Sequence, residues 1–208
     1  MFDVTRYATA AQSIVEAGRF LYDRGWSPAT SSNYSARIDG DHMAITVSGR
    51  HKGQLGAGDV MVVDLHGQPV QSDCRSSAET LLHTVIYQLY PEVGAVLHTH
   101  SVKATVLSRL IPAGQALELE GYELQKAFNG VQTHEGKLIV PVFDNTQDIP
   151  ALAEETRDWF ARHPEQPGYL IRGHGLYTWG RTMADCLRHI EAFEFLFECE
   201  LETMRVRR

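Results

Sequence analysis

The chain has 208 residues, 43% hydrophobic and 22% charged, with a formal net charge of -7. That length suits one well-buried domain, residues 1–208, and no linker, repeat or low-complexity stretch divides it. The charge excludes a basic nucleic-acid surface, no apolar run is long enough for a bilayer, and the N-terminus lacks the basic-then-apolar pattern of a secretory signal, so no membrane partner and a cytoplasmic location are expected.

A helix is predicted over residues 7–24, where Ala11, Ile14, Val15, Ala17, Leu21 and Tyr22 approximate one apolar stripe and Gly25 supplies a stop. Two short strands, 34–38 and 43–47, flank the turn Asp39-Gly40-Asp41, and a third covers 60–65. A helix over 77–90 feeds a strand at 95–98, and another helix covers 101–109. Residues 118–128 are acidic and predicted to be helical in part. A strand at 140–143, an amphipathic helix at 146–162 and a hairpin-like pair at 169–172 and 176–179 come next. The chain closes with a long helix over 182–205, in which Cys186 and Cys199 read as core thiols. With Cys74 they form no CxxC pair, so neither a disulfide framework nor a thiolate metal site is expected. The basic tail Arg205 to Arg208 reads as a solvated charge run. Interleaved helices and strands predict three layers around one mixed sheet.

The chemistry concentrates at strand ends. The apolar run Val93-Gly94-Ala95-Val96-Leu97 ends in His98-Thr99-His100. Residues i and i+2 of a strand share a face, so both imidazoles leave the strand side by side. A second apolar run, Tyr169-Leu170-Ile171, ends in Arg172-Gly173-His174-Gly175 and offers a third imidazole. Three histidines without a fourth protein ligand describe an open, catalytic metal site. All-nitrogen ligation suits zinc best, with iron, cobalt and manganese left open. Of the other histidines, His51, His66, His134 and His163 lie in polar or turn segments and read as solvated.

Three small-residue patches at element boundaries are candidate phosphate hosts: Thr30-Ser31-Ser32-Asn33, Thr46-Val47-Ser48-Gly49-Arg50 and Arg75-Ser76-Ser77-Ala78-Glu79. Ser76-x-x-Glu79 also fits a capping box, a purely structural reading of the same residues.

Taken together, these segments resemble the class II (metal-dependent) aldolase family. The resemblance rests on Ser31-Ser32-Asn33-Tyr34-Ser35-Ala36-Arg37, Ile45-Thr46-Val47-Ser48-Gly49, Ser77-Ala78-Glu79, His98-Thr99-His100 and Gly173-His174-Gly175, in that order. It implies an α/β/α fold around a central mixed, mainly antiparallel sheet, and a homotetramer. It further implies one zinc ion on His98, His100 and His174, a phosphate cradle from Asn33, Ser48, Gly49 and Ser77, and Glu79 as catalytic acid/base. Ser76 and Lys52 lie in the matching stretches and join the cradle candidates. Ala78 departs from the double serine that precedes this Glu in the aldolases.

A finer resemblance, to the family's dehydratase branch in methionine salvage, rests on Gly49-Arg50-His51-Lys52-Gly53, Ser77 to His83, Glu120 to Lys126, Pro141 to Thr146 and His174 to Gly180. It implies Glu123 as acid/base, with Glu118 and Glu120 as neighbouring rivals. The implied substrate is a phosphorylated 2-ketose carrying a methylthio group, dehydrated to a 2,3-diketone. Glu79 then caps a helix, holds substrate or shares the proton work. Phe128, Tyr177 and Trp179 are candidates for the thioether pocket, with core packing as their competing role. Two other outcomes stay open: an aldolase or epimerase using the same metal and phosphate sites, and a metal-binding homologue without chemistry.

Overall fold

The computed structural model describes residues 2–207; Met1 and the last arginine of the basic tail, Arg208, lie outside them. The first helix, α1 (Val4–Asp23), starts three residues earlier than its apolar stripe suggests, because Asp3 caps it by accepting the N–H groups of Thr5 and Arg6. Eight strands form one sheet: β1 (Asn33–Arg37), β2 (His42–Thr46), β3 (Val60–Asp64), β4 (Ala95–Thr99), β5 (Ala116–Leu119), β6 (Leu138–Phe143), β7 (Gly168–Ile171) and β8 (Gly175–Gly180). Their order is β3-β2-β1-β4-β8-β7-β6-β5. Every pairing is antiparallel except β6 with β7, which is parallel.

The remaining helices are α2 (Thr80–Leu89), α3 (Val102–Leu110), α4 (Ile149–Arg162) and α5 (Met183–Val206). Two apolar clusters sit on opposite faces of the sheet. Ala11, Ile14, Leu107, Ile190 and Phe193 bring α1, α3 and α5 onto one face, with Ala95 and Leu97 of β4. Leu82, Val85, Leu152 and Phe160 bring α2 and α4 onto the other, with Val96 of β4. This is the expected three-layer α/β/α fold around a mixed, mainly antiparallel sheet. Covered on both faces, the central strand β4 needs no polar alternation, which is why it reads as one apolar run.

The pleat fixes the site's orientation. Val96 faces the α2 side, so His98, two residues on, does too. Cross-strand register then lines up Asn33 of β1, His98 of β4, Tyr177 of β8 and Tyr169 of β7 in one row.

Residues 118–128 are helical in part, as expected: β5 carries Leu117 and Leu119 inward and Glu118 outward, a period of two, and the 3-10 helix Glu123–Ala127 follows. One expectation is corrected here. The helix expected from residue 77 begins at Thr80, so Ser76 and Glu79 form no capping box. Glu79 occupies the cap position with no capping bond from its side chain, while Ser77 Oγ accepts the Glu79 N–H at 3.2 Å. Ser76 pairs through its backbone with Val47.

Candidate active site

His98, His100 and His174 converge as the sequence spacing implies. One ring nitrogen from each lies within 4.8 Å of the others. His98 is fully buried, and its Nδ1–H donates to the Leu176 carbonyl at 2.9 Å. That bond fixes the tautomer and leaves Nε2 as a bare lone pair, 3.3 Å from Nε2 of His174. His100 is anchored by its own N–H, which donates to the Trp26 carbonyl at 2.8 Å. The glycines around His174 are geometric necessities. Gly173 sits at φ +65°, and a Cβ on Gly175 would lie 1.9 Å from the Thr99 carbonyl oxygen, so β8 approaches β4 only with glycine there.

The donor set fits a metal ion. Burial, with mutual repulsion, drives His98 well below the ordinary imidazole range and His100 down to about 4, so both rings are neutral at pH 7, the form that can bind a metal. His174 keeps a buried Nδ1 without a partner among the described residues. Three imidazole nitrogens converging in this way can share one cation.

Glu79 stands over this cluster. Its Oε1 lies 3.3 Å from His174 Nε2 and its Oε2 3.5 Å from His98 Nε2. Asn33 Nδ2 and the Tyr177 hydroxyl both donate to Oε2, each at 2.8 Å. Tyr177 stacks on His98 with ring centroids 4.0 Å apart. Burial and the Glu79 charge push its phenol well above its usual range, so it remains a donor.

A pocket of about 220 Å³ opens beside the histidines and joins the three small-residue patches. Asn33, Ser48, Gly49, Ser77, Glu79 and Lys52 all line it, as do His100 and His174. Ser76 does not, because its backbone is committed to Val47. Lys52 brings a positive charge to this pocket. It is 1% exposed, and its ammonium donates to two neutral carbonyls, Arg50 at 2.6 Å and Thr30 at 3.3 Å. The nearby Asp59 is engaged by Arg50 at 3.1 Å. Burial therefore pulls Lys52 down to about 8, with only partial compensation from Asp59. An ammonium held among carbonyls, hydroxyls and backbone N–H groups is a host for an anion.

Glu123 is not in this assembly. Its side chain is 72% exposed and pairs with Lys126 at 2.5 Å and His134 at 3.5 Å. The topology explains why. The site lies beyond the ends of β7 and β6, whereas β5 runs antiparallel to β6 and its last residue, Leu119, pairs with Leu138, the first of β6. The segment after β5 therefore emerges at the opposite end of the sheet. Glu118 and Glu120 are bound to Lys137 at 2.9 and 3.5 Å. Phe128 packs on Phe193 and His189, and Trp179 stacks on Tyr90. Of the thioether-pocket candidates, Tyr177 alone touches the site.

His83 was outside the candidate set from the sequence, yet it is fully buried against Asn33. The available signal was spacing: it follows Glu79 by four residues at a helix start, which places both on one face. The histidines expected to be solvated divide. His66 and His134 are exposed, but His51 and His163 are half-buried, His51 edge-on to Tyr22 and His163 stacked on Trp159.

The fold agrees with the comparisons. The family model described as Class II Aldolase and Adducin N-terminal domain matches residues 12–201, and the chain belongs to that family. It is 99% identical over 208 residues to the methylthioribulose-1-phosphate dehydratase of Marinobacter nauticus, covering all of both chains. Its identity to the protein of that name from Hahella chejuensis is 65% over 207 residues, again covering 100% of each. Among solved structures, an L-fuculose 1-phosphate aldolase superposes with a TM-score of 0.80 at 20% identity, over 96% of this chain and 88% of the other. The L-fuculose-1-phosphate aldolase of Thermus thermophilus gives 0.74 at 23% identity, over 97% and 96%. These two share the fold.

Proposed function

We infer that this chain is a methylthioribulose-1-phosphate dehydratase, a hydro-lyase that removes one water from 5-methylthioribulose 1-phosphate to give a 2,3-diketo-5-methylthiopentyl 1-phosphate. The observation that carries dehydration over aldol cleavage is full-length similarity to relatives bearing that name, at 99% and 65% identity. The histidine cluster alone serves either reaction.

The whole chain acts as one class II aldolase-type domain. His98, His100 and His174 hold one zinc ion, a choice supported by their all-nitrogen donor set. When bound, the ion supplies Lewis acidity that makes the proton at C3 of a 2-ketose more acidic. Lys52, Ser48, Gly49 and Ser77 hold the phosphate and so place the carbon chain along the pocket. Asn33 lines the same pocket with its amide turned to Glu79. Oε1 of Glu79, the oxygen that carries neither the Asn33 nor the Tyr177 donor, takes the C3 proton. The C4 hydroxyl leaves as water once it is protonated, and the resulting enol ketonises to the diketone.

Glu123 serves as the acid at C4 from a neighbouring copy, since its own chain holds it at the far end of the sheet. An assembly is supported independently by α3, which flanks His174 through the bond from Thr105 Oγ1 to the His174 carbonyl at 3.0 Å. That helix presents Val102, Val106 and Leu110, spaced by four, at 75%, 42% and 43% exposure. We assign a homotetramer. No helix among the described residues is long and apolar enough to cross a membrane. The cysteines are all free, which supports a cytoplasmic location.

Product analysis by mass tests this function. Metal-loaded protein given 5-methylthioribulose 1-phosphate is expected to form a single phosphorylated product lighter by one water. Two carbonyl fragments would assign an aldolase instead.

A further inference from the structure

Behind Glu79 lies a series of buried side chains that the mechanism has not used. Asn33 donates through Nδ2 to Glu79 Oε2 at 2.8 Å, because a carboxylate only accepts. Its Oδ1 is therefore the acceptor on the other side, and it meets His83 Nε2. That nitrogen must carry the ring proton. His83 Nδ1 is then a bare acceptor, and it receives the Ser35 hydroxyl at 2.7 Å. Ser35 Oγ in turn accepts from the Tyr87 hydroxyl at 3.0 Å. Every direction follows from the carboxylate at one end.

The elements make this series rigid. Ser35 lies on β1 two residues after Asn33, on the same face, while His83 and Tyr87 are four apart on α2. Ser35 and His83 are 0% exposed and Tyr87 is 1% exposed. Burial holds His83 down to about 3, so the ring is neutral and has one proton to place.

We propose that Ser35, His83 and Tyr87 are positioning residues for the dehydration: they fix the orientation of the Asn33 amide, which with Tyr177 pins Oε2 of Glu79 and leaves Oε1 as the oxygen that moves the proton. This rests on the reading of Glu79 as the proton-handling carboxylate. The competing reading is a set of buried polar groups that merely satisfy one another. It differs in consequence, since a structural network changes stability without changing turnover by the folded protein.

Two measurements decide between them. Nitrogen-15 NMR of the ring of His83, in metal-free and zinc-loaded protein alike, is expected to show the Nε2–H tautomer; an Nδ1–H tautomer overturns the proposal. In kinetics, His83→Phe is expected to lose about 10–100-fold in kcat while KM and bound zinc stay within about twofold. His83→Gln, whose amide both donates and accepts at similar spacing, recovers most of that loss. Tyr87→Phe, a milder change, lowers kcat by about threefold. His83→Phe with unchanged kcat, or a loss matched by lost zinc, overturns the proposal. Glu79→Gln separates the two levels: if it is inactive beside an active His83→Phe, the positioning role alone fails. If Glu79→Gln turns over normally, the role of Glu79 fails and the proposal goes with it.

Discussion

Lys52 keeps its charge against burial, and in the proposed phosphate cradle that makes binding pH-dependent. Its pKa of about 8 lies below the ordinary 10.5, so the ammonium is charged at pH 7 and discharged above about 8. KM for the phosphorylated substrate is expected to rise as pH climbs through that value. Lys52→Met is expected to remove this rise and to lift KM at pH 7 by about 30-fold or more. Steady-state kinetics from pH 6.5 to 9.5 check both. Glu194 presents the opposite case. It is 1% exposed on α5, and neither carboxylate oxygen has a partner among the described residues. Burial raises it from 4.5 to about 7, Ser101 and Lys103 lowering it in part and Glu198 raising it. The folded state thus holds a proton that the unfolded chain releases. Stability falls as pH rises from about 4.5 to 7 and stays low above that. Glu194→Gln is expected to flatten the slope and to stabilise the protein at pH 8 by on the order of 2–3 kcal/mol, measured by denaturant unfolding.

At the scale of elements, the site depends on how closely β8 can lie against β4. Gly175→Ala puts a methyl group where the Thr99 carbonyl oxygen is, 1.9 Å away. The strands must part, at a cost of about 3 kcal/mol, which for a chain of this size lowers the melting temperature by roughly 6–12 °C. His174 moves with the strand end, so bound zinc is expected to fall in the same variant, and calorimetry with metal analysis reads both. The same strand ends explain what was legible from residues alone. Apolar runs closed by His98-Thr99-His100 and by Gly173-His174-Gly175 declare buried strands with imidazoles at their ends, and register brings them together. Glu79 was ambiguous because a helix cap and a site carboxylate have one sequence pattern; where α2 begins decided it. His83 was not legible as a site residue, and Tyr177 was legible only as a pocket candidate with a competing core role, since a buried histidine or tyrosine is ordinary until cross-strand pairing sets it beside Asn33 and His98. Glu123 stood out only through the resemblance, because no residue pattern says which end of the sheet its segment leaves from; the pairing of β5 with β6 sets that.

At the scale of the whole molecule, one chain supplies the histidines, Glu79 and the pocket lined by Lys52 but holds Glu123 at the other end of its sheet. If neighbouring copies complete each other's sites, Glu79→Gln and Glu123→Gln chains complement one another. Each variant alone is expected to be nearly inactive, and co-assembled mixtures are expected to regain turnover in the sites that combine the two intact halves. Activity in pure Glu123→Gln protein would remove that residue from the reaction. Val106→Asp, placed in the exposed stripe of α3, is expected to shift the assembly toward smaller species in light scattering and to lower turnover in parallel.

The most direct single measurement is a zinc titration into chelator-stripped protein that follows bound metal and the mass of the product from 5-methylthioribulose 1-phosphate together. The expected result is no turnover without metal, a linear rise that breaks at one zinc per chain, and a product lighter than the substrate by one water. Turnover in the stripped protein, or cleavage into two carbonyl fragments at full zinc, would contradict a dehydratase built on His98, His100 and His174.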